Sequence, residues 1–131
     1  MNQEILIQAS ILQRQSQELE EHLGLIEKQL EDLSEFKENV IDFSKSDNTE
    51  SISTMGRGVH LKTKIISKEL LVEVGAGVVL KKTPEEVSLT IEEQLEKLGE
   101  ARMHILGQLE ICNTQLQHII SDLESEKENK S

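Results

Sequence analysis

Apolar residues recur every seven positions through the first third of the chain. Spacings of four and three, kept over five heptads, are typical of the seam of a coiled coil. The sequence therefore predicts an N-terminal coiled-coil helix over residues 5–43. Its d positions are Ile5, Leu12, Leu19, Ile26, Leu33 and Val40, and its a positions are Ala9, Ser16, Leu23, Leu30 and Lys37.

The last third of the chain repeats this pattern and predicts a second coiled-coil helix over residues 84–123. Thr83 is the predicted N-cap, with Pro84 at the first helical position and Glu86 placed for a capping box. Residues 124–131 are charged and free of apolar side chains, so we expect a frayed tail. The predicted d positions are Ile91, Leu98, Ile105, Cys112 and Ile119, and the a positions are Ser88, Leu95, Arg102, Leu109, Leu116 and Leu123.

Two helices of similar length, joined by one segment, are expected to pair with each other in antiparallel orientation. The alternative is a parallel dimer formed through each helix separately. In the antiparallel pairing Val40 lies near Ser88, and Arg102 lies within reach of Glu21 or Glu27. A polar residue in the seam usually fixes the register of a coiled coil, and we assign that role to Arg102.

The segment between the helices predicts short strands rather than helix. Apolar and polar residues alternate through much of it, and the glycine-containing sequence GRGVHLK at 56–62 recurs as GAGVVLK at 75–81. Gly56 and Gly58 in the first copy, and Gly75 and Gly77 in the second, fall where bulges or bends would separate consecutive strands. The predicted strands cover residues 52–55, 59–66, 70–74 and 77–82.

The glycine spacing also invites a phosphate-binding interpretation, which the surrounding residues argue against. A dinucleotide-binding turn needs a third glycine and a helix that opens at once, and a P-loop needs Gly-Lys-Ser/Thr before a helix. Neither copy meets these requirements, since each leads into β-branched strand residues.

A β segment of this size cannot bury a core alone, and its strand edges are open to pairing. We therefore interpret residues 52–82 as an assembly hub that pairs with the same segment of other subunits. The predicted hub residues are Met55, Gly56, Gly58, Val59, Leu61, Val72, Val74, Gly75, Gly77, Val78 and Leu80.

Composition narrows the classes of function. The 131-residue chain has a net charge of −11, which argues against nucleic acid or an anionic membrane surface as a partner. Positive charge is concentrated in residues 55–82, between two acidic helices. A single cysteine, Cys112, suits a reducing compartment. The N-terminal residues show neither a signal peptide nor a membrane-spanning stretch, so we expect a cytoplasmic protein.

The side chains that carry chemistry form no recognisable site. The four histidines lack metal-ligand spacing, and no nucleophile–base pair is evident. Cys112 occupies a d position, where a small buried residue is expected. The sequence therefore predicts a protein that is not an enzyme and needs no cofactor or metal.

A long helix, two glycine-containing β-hairpins and a second long helix resemble the prefoldin family, and specifically its archaeal alpha-type subunits. The residues that carry the resemblance are the two G-x-G elements and the sequence VEVGAGVVLKK at 72–82. The resemblance implies an α+β fold, with an antiparallel coiled-coil hairpin joined by two small β-hairpins that oligomerise into a β-barrel hub. It further implies an ATP-independent chaperone in which two alpha-type and four beta-type subunits hold non-native proteins and pass them to a group II chaperonin.

Apolar residues outside the seam are concentrated at the ends of the two helices. A seam alone does not require Leu6, Ile7 or Ile120. The resemblance implies that non-native proteins are held near the tips of the coil, so we expect a client-binding surface here. These residues could instead pack as the closing layer of the coil. The predicted client-binding residues, which we call the tip surface, are Ile5, Leu6, Ile7, Ile11, Ile119, Ile120 and Leu123.

Two other classes of function remain open at this point. One is a structural coiled-coil protein that self-assembles through its β hub without binding clients. The other is a nucleotide-handling enzyme that uses the glycine elements.

Overall fold

The computed structural model describes residues 2–129, with the side chains of residues 3–127. Along the chain, one long helix precedes two antiparallel hairpins and a second long helix follows them. This order of elements confirms the predicted α+β fold class. The elements are α1 (Asn2–Lys45), β1 (Glu50–Gly56), β2 (Val59–Lys64), β3 (Leu70–Gly75), β4 (Val78–Lys82) and α2 (Pro84–Asn129).

The chain divides into two compact units, and each helix contributes to both. The coil unit contains the described residues 2–31 and 96–129. The hairpin unit contains residues 32–95 and therefore all four strands.

In the coil unit the two helices pack through the residues that the heptads predict. Ile26, Ile105 and Leu109 are buried. Every a and d residue named above for this unit is buried or half-buried. The residues that pack around the buried cluster are Leu19, Leu23, Leu30, Leu98 and Ala101.

A salt bridge joins the two helices beside this seam. The Arg102 Nε atom lies 3.3 Å from the Glu27 Oε1 atom, so Glu27 is the partner among the two that the sequence allowed. Both side chains are substantially exposed, and such a pair contributes at most about 1 kcal/mol. The role of Arg102 in fixing the register stays a prediction.

The hairpin unit has its own core, in which both helices meet strand β3. Val40, Val87 and Ile91 are buried, and Ile91 is only 2% exposed. Val40 and its neighbours on α2 therefore meet as antiparallel pairing requires. Val87 was not among the predicted seam residues. The half-buried residues around this core are Leu33, Leu70, Val72 and Leu95.

Helix α2 starts where the sequence predicts. The Glu86 N–H donates to the Thr83 Oγ1 atom at 3.1 Å, as expected for an N-cap. The reciprocal bond differs from a standard capping box, since the Thr83 hydroxyl itself donates to the Glu86 carboxylate at 3.3 Å.

Both helices are longer than predicted. Helix α1 spans Asn2–Lys45, and α2 continues to Asn129 where we expected a frayed tail from residue 124. Glutamate and lysine have high helix propensity, which extends α2 beyond the last seam residue. Residues 130–131 of the expected tail lie outside the described residues.

The end of α1 is held by a lysine from the connector between the hairpins. The Lys68 ammonium donates to the Phe43 and Ser46 carbonyl oxygens, both at 2.7 Å. Its nitrogen also lies 4.4 Å from the centre of the Phe43 ring. A cation at a helix C-terminus satisfies orphan carbonyls and interacts favourably with the helix dipole. Lys68 therefore ties the connector to the helix.

Candidate functional site

The repeated glycine sequences form two hairpin turns of the same conformation. Arg57 and Ala76, the first loop residues, have φ angles of 49° and 52°. Gly58 and Gly77, the second loop residues, have φ angles of 78° and 75°. Positive φ at both central residues defines a type I′ turn, whose twist matches that of paired strands. The predicted bends between strands are confirmed.

A bulge precedes each turn. The pairing register shifts between Thr54 and Gly56 in the first hairpin and between Glu73 and Gly75 in the second. Gly56 and Gly75 have φ angles of 121° and 113°, which side-chain-bearing residues rarely adopt. A Cβ atom at either glycine would meet nothing within 4 Å. Backbone geometry, rather than space, therefore accounts for these glycines.

The first hairpin exposes apolar residues on both faces. Ser53 pairs with Leu61, and Ile52 pairs with Lys62. Directly paired residues share a face, so Leu61 and Ile52 point to opposite sides. Leu61 is 53% exposed and Ile52 is 67% exposed. No residue of this hairpin belongs to the buried clusters of the described chain.

One face of the second hairpin is apolar from Val72 to the turn, and its far end carries Lys82 opposite Leu70. Val72 pairs with Leu80, and the next pair along that face is Gly75 with Val78. Leu70 and Val72 pack against the helices, whereas Val78 and Leu80 are exposed. This apolar strip therefore starts in the core of the hairpin unit and continues onto its surface.

Most predicted hub residues lie on exposed surfaces of the hairpins. Val72 is the exception, since it is half-buried in the chain's own core. The glycines form the turns and bulges. Sequence reasoning missed four further exposed apolar residues, three of them recognisable as apolar positions on the strands and one in the connector. They are Ile52, Leu71, Val79 and Ile66.

The hairpins form two separate two-stranded sheets within the described residues. The outer edge of each strand therefore pairs with no other strand of this part of the chain. Unpaired edges beside exposed apolar side chains are a template for association with another chain.

The predicted tip surface divides into two groups. Leu6, Ile7, Ile11 and Ile120 are exposed, and Ile7 is 60% exposed. Ile5, Ile119 and Leu123 are half-buried, as their seam positions require. The exposed group is available to a ligand, whereas the seam group chiefly holds the helices together.

Groups of three or more metal-ligating side chains are absent from residues 2–129. No helix in this part of the chain is long and apolar enough to cross a membrane.

Coiled-coil helices and two hairpins with exposed, unpaired strands define the class of a coiled-coil subunit built for association. The family model described as "Prefoldin subunit" matches residues 12–129, and the chain belongs to the prefoldin family. This family comprises chaperone-type, non-enzymatic subunits that assemble with other prefoldin subunits. No match was found among curated protein sequences.

Solved structures agree with this assignment at the level of the fold. The chain is similar to one in the cryo-EM structure of filamentous PFD from Methanocaldococcus jannaschii, with a TM-score of 0.73 and 14% identity. The alignment covers 93% of this chain and 99% of that chain.

Proposed function

We propose that the protein is an alpha-type prefoldin subunit that holds non-native proteins without ATP and delivers them to a group II chaperonin. The observation that carries client holding is the exposure of Leu6, Ile7, Ile11 and Ile120 outside the seam. Apolar side chains left exposed near the helix ends offer an interaction surface. The proposed setting is the cytoplasm, with neither nucleic acid nor a membrane as partner.

The hairpins support assembly with other subunits. The exposed apolar residues of both hairpins lie beside open strand edges, and burial against a partner would remove both from water. We propose beta-type subunits as the partners, with two alpha-type and four beta-type chains in the complex. The alpha-type assignment rests on the presence of two hairpins.

Aggregation of a denatured protein tests client holding. The co-assembled complex is expected to suppress aggregation in the absence of ATP. Replacing Leu6, Ile7 and Ile120 together by serine should weaken this protection while the mass of the complex stays unchanged. Loss of assembly in this variant would instead make these residues structural.

A matched control uses exposed apolar residues elsewhere on the same helices. Leu25→Ser, Leu89→Ser and Met103→Ser together remove comparable exposed area, since these residues are 63%, 60% and 65% exposed. They should leave protection unchanged. Equal loss in both variants would show that general hydrophobicity, rather than the tip surface, holds the client.

Delivery is tested with a preformed complex of prefoldin and labelled, denatured client. Adding a group II chaperonin should move the label to the chaperonin fraction. Retention of the label on the prefoldin fraction would contradict delivery.

A second candidate is a structural protein that self-assembles through its hub without binding clients. It is favoured by the similarity in fold to a chain of a filamentous PFD. The mass of the purified chain, alone and with beta-type partners, separates the two. Open-ended growth of the chain alone, without protection of denatured protein, would support the scaffold.

A further inference from the structure

Two adjoining grooves lie along one side of the coil unit. The first has a volume of about 480 Å³ and is lined in part by His22, Gln108 and Ile111. The second has a volume of about 440 Å³. Gln15 and Gln115 line both grooves, which are therefore continuous. Both grooves are shallow and open to solvent along the surface of the coil.

Primary amides dominate the polar part of this surface. Gln8, Gln15, Gln108 and Gln115 all line it, and each occupies the g position of its heptad. Among the described lining residues, Glu18 is the only carboxylate, although the chain has a net charge of −11. A glutamine amide both donates and accepts hydrogen bonds. The grooves therefore suit an uncharged ligand that also carries donors and acceptors.

Apolar side chains lie between these amides. Ile11 and Ile111 line the grooves and are 52% and 61% exposed. Ile11 and Ile119 also belong to the tip surface, so the grooves continue the proposed client-binding region inward along the coil.

The spacing of the glutamines suits an extended polypeptide. Gln8 and Gln15 lie seven residues apart on a helix, a rise of about 10.5 Å. Polyproline II, a major conformation of unfolded chains, repeats every three residues with a rise of about 9.3 Å and leaves its backbone groups free. Long, flexible glutamine side chains absorb the difference of about 1 Å. Successive glutamines can therefore reach main-chain groups that face the same way.

We propose that this surface, the glutamine groove, binds uncharged, extended segments of non-native polypeptide. The glutamine amides bond to the main-chain N–H and C=O groups of the segment, and Ile11 and Ile111 contact its apolar side chains. Recognition of the main chain is independent of sequence, as a holder of varied clients requires. The inference rests on the proposed function and specifies which segments of a non-native client the subunit binds.

The test uses the co-assembled complex and an uncharged twelve-residue peptide rich in Val, Thr and Ser, labelled with a neutral boron-dipyrromethene dye. Its fluorescence anisotropy reports the dissociation constant. Gln15→Glu with Gln115→Glu places two charges in the groove, where their desolvation opposes docking. We expect binding to weaken about fivefold, the effect of losing one modest hydrogen bond.

The chain provides a matched control two residues away on each helix. Gln13 and Gln117 are exposed and line neither groove. Gln13→Glu with Gln117→Glu introduces the same charges and should change the dissociation constant less than about twofold. Circular dichroism of both variants should show unchanged helix content.

An N-methylated version of the peptide tests main-chain recognition directly. It keeps the side chains but lacks donors at alternate residues, so the wild-type complex should bind it about fivefold more weakly. The Gln15→Glu, Gln115→Glu variant should discriminate less between the two peptides. Equal binding of both peptides by the wild type would overturn main-chain recognition.

The remaining outcomes separate this inference from the proposed function. If the complex suppresses aggregation and both glutamate pairs bind the peptide equally, the groove proposal fails and client holding survives. If the wild-type complex gives no protection, the proposed function itself fails. The wild-type complex could also associate with itself as its concentration rises, which its mass reports. If the Gln15→Glu, Gln115→Glu variant associates less, the groove is an interface between copies and the inference is overturned.

Discussion

The two β-hairpins share a repeated sequence and the same turn, yet they differ in what their strands contact. Leu70 and Val72 of the second hairpin pack into the core formed by both helices. The first hairpin contributes no residue to that core. Among the described residues, its apolar side chains Ile52 and Leu61 instead remain largely exposed.

This difference shows how one repeated motif can acquire two roles. The second hairpin is part of the folded chain and presents Val78 and Leu80 at a defined place. The first hairpin keeps its strand pairing but lacks the apolar support that a two-stranded sheet needs in water. We therefore expect the first hairpin to depend more strongly on partner subunits.

The largest effect is expected from Ile91→Ala, which removes the most deeply buried residue against which the second hairpin packs. Ile91 is 2% exposed, and such a truncation costs about 2–5 kcal/mol in the free energy of unfolding. Urea unfolding of the isolated chain measures it. Ile52→Ala in the first hairpin should cost less than about 0.5 kcal/mol. Similar costs would contradict the difference between the hairpins.

Lys68→Met tests the tie between the connector and helix α1. Loss of a charged donor to two helix-end carbonyls should destabilise the chain by about 1–2 kcal/mol. Thermal unfolding followed by circular dichroism measures the change. Lys62→Met, which removes an exposed cation from the first hairpin, is the control and should have little effect.

Truncating one strand residue in each hairpin compares their roles directly. Val72→Ala should destabilise the isolated chain by about 1 kcal/mol because Val72 is half-buried. Leu61→Ala should leave that stability unchanged but weaken co-assembly with beta-type subunits. Urea unfolding and sedimentation velocity report the two quantities. A loss of chain stability in Leu61→Ala would refute the assignment of the first hairpin to partners.

The smallest effect is expected at the turns. Ala76→Gly relieves a left-handed conformation and should stabilise the isolated chain by up to about 1 kcal/mol. Arg57→Gly relieves the same strain, but in a hairpin that the core does not hold, so global stability should not change. Differential scanning calorimetry of both variants tests this contrast. Equal increases in melting temperature would show that both hairpins are coupled equally to the core and would contradict it.

Much of the fold follows from local periodicity. The heptads identified most of the buried residues and narrowed the partner of Arg102 to Glu21 or Glu27, of which the structure shows Glu27, because the register of one helix constrains the other. The glycine repeats identified the turns, since few residues adopt positive φ. The outward-facing tip residues followed from the same heptad positions.

The remaining features depend on contacts between segments distant in sequence. Lys68 looks like any surface lysine until the connector reaches the end of α1. Val72 and Leu61 occupy comparable apolar strand positions, and only tertiary packing places one against the core and leaves the other exposed. The heptads predict that α2 ends at the last seam residue, residue 123. The charged segment that follows has no seam residues but still continues the helix, because glutamate and lysine have high helix propensity.

The polar contacts in the seam have a consequence for local opening of the coil. Ser16 is buried and its hydroxyl lies 3.3 Å from the Asn113 side-chain oxygen, and the Cys112 thiol donates to the Leu12 carbonyl at 3.1 Å. These small side chains bury less apolar area than the leucines around Ile26. Amide hydrogens before Ser16 should therefore exchange with solvent sooner than those near Ile26. Such breathing would widen the apolar surface at the helix ends while the rest of the coil stays folded.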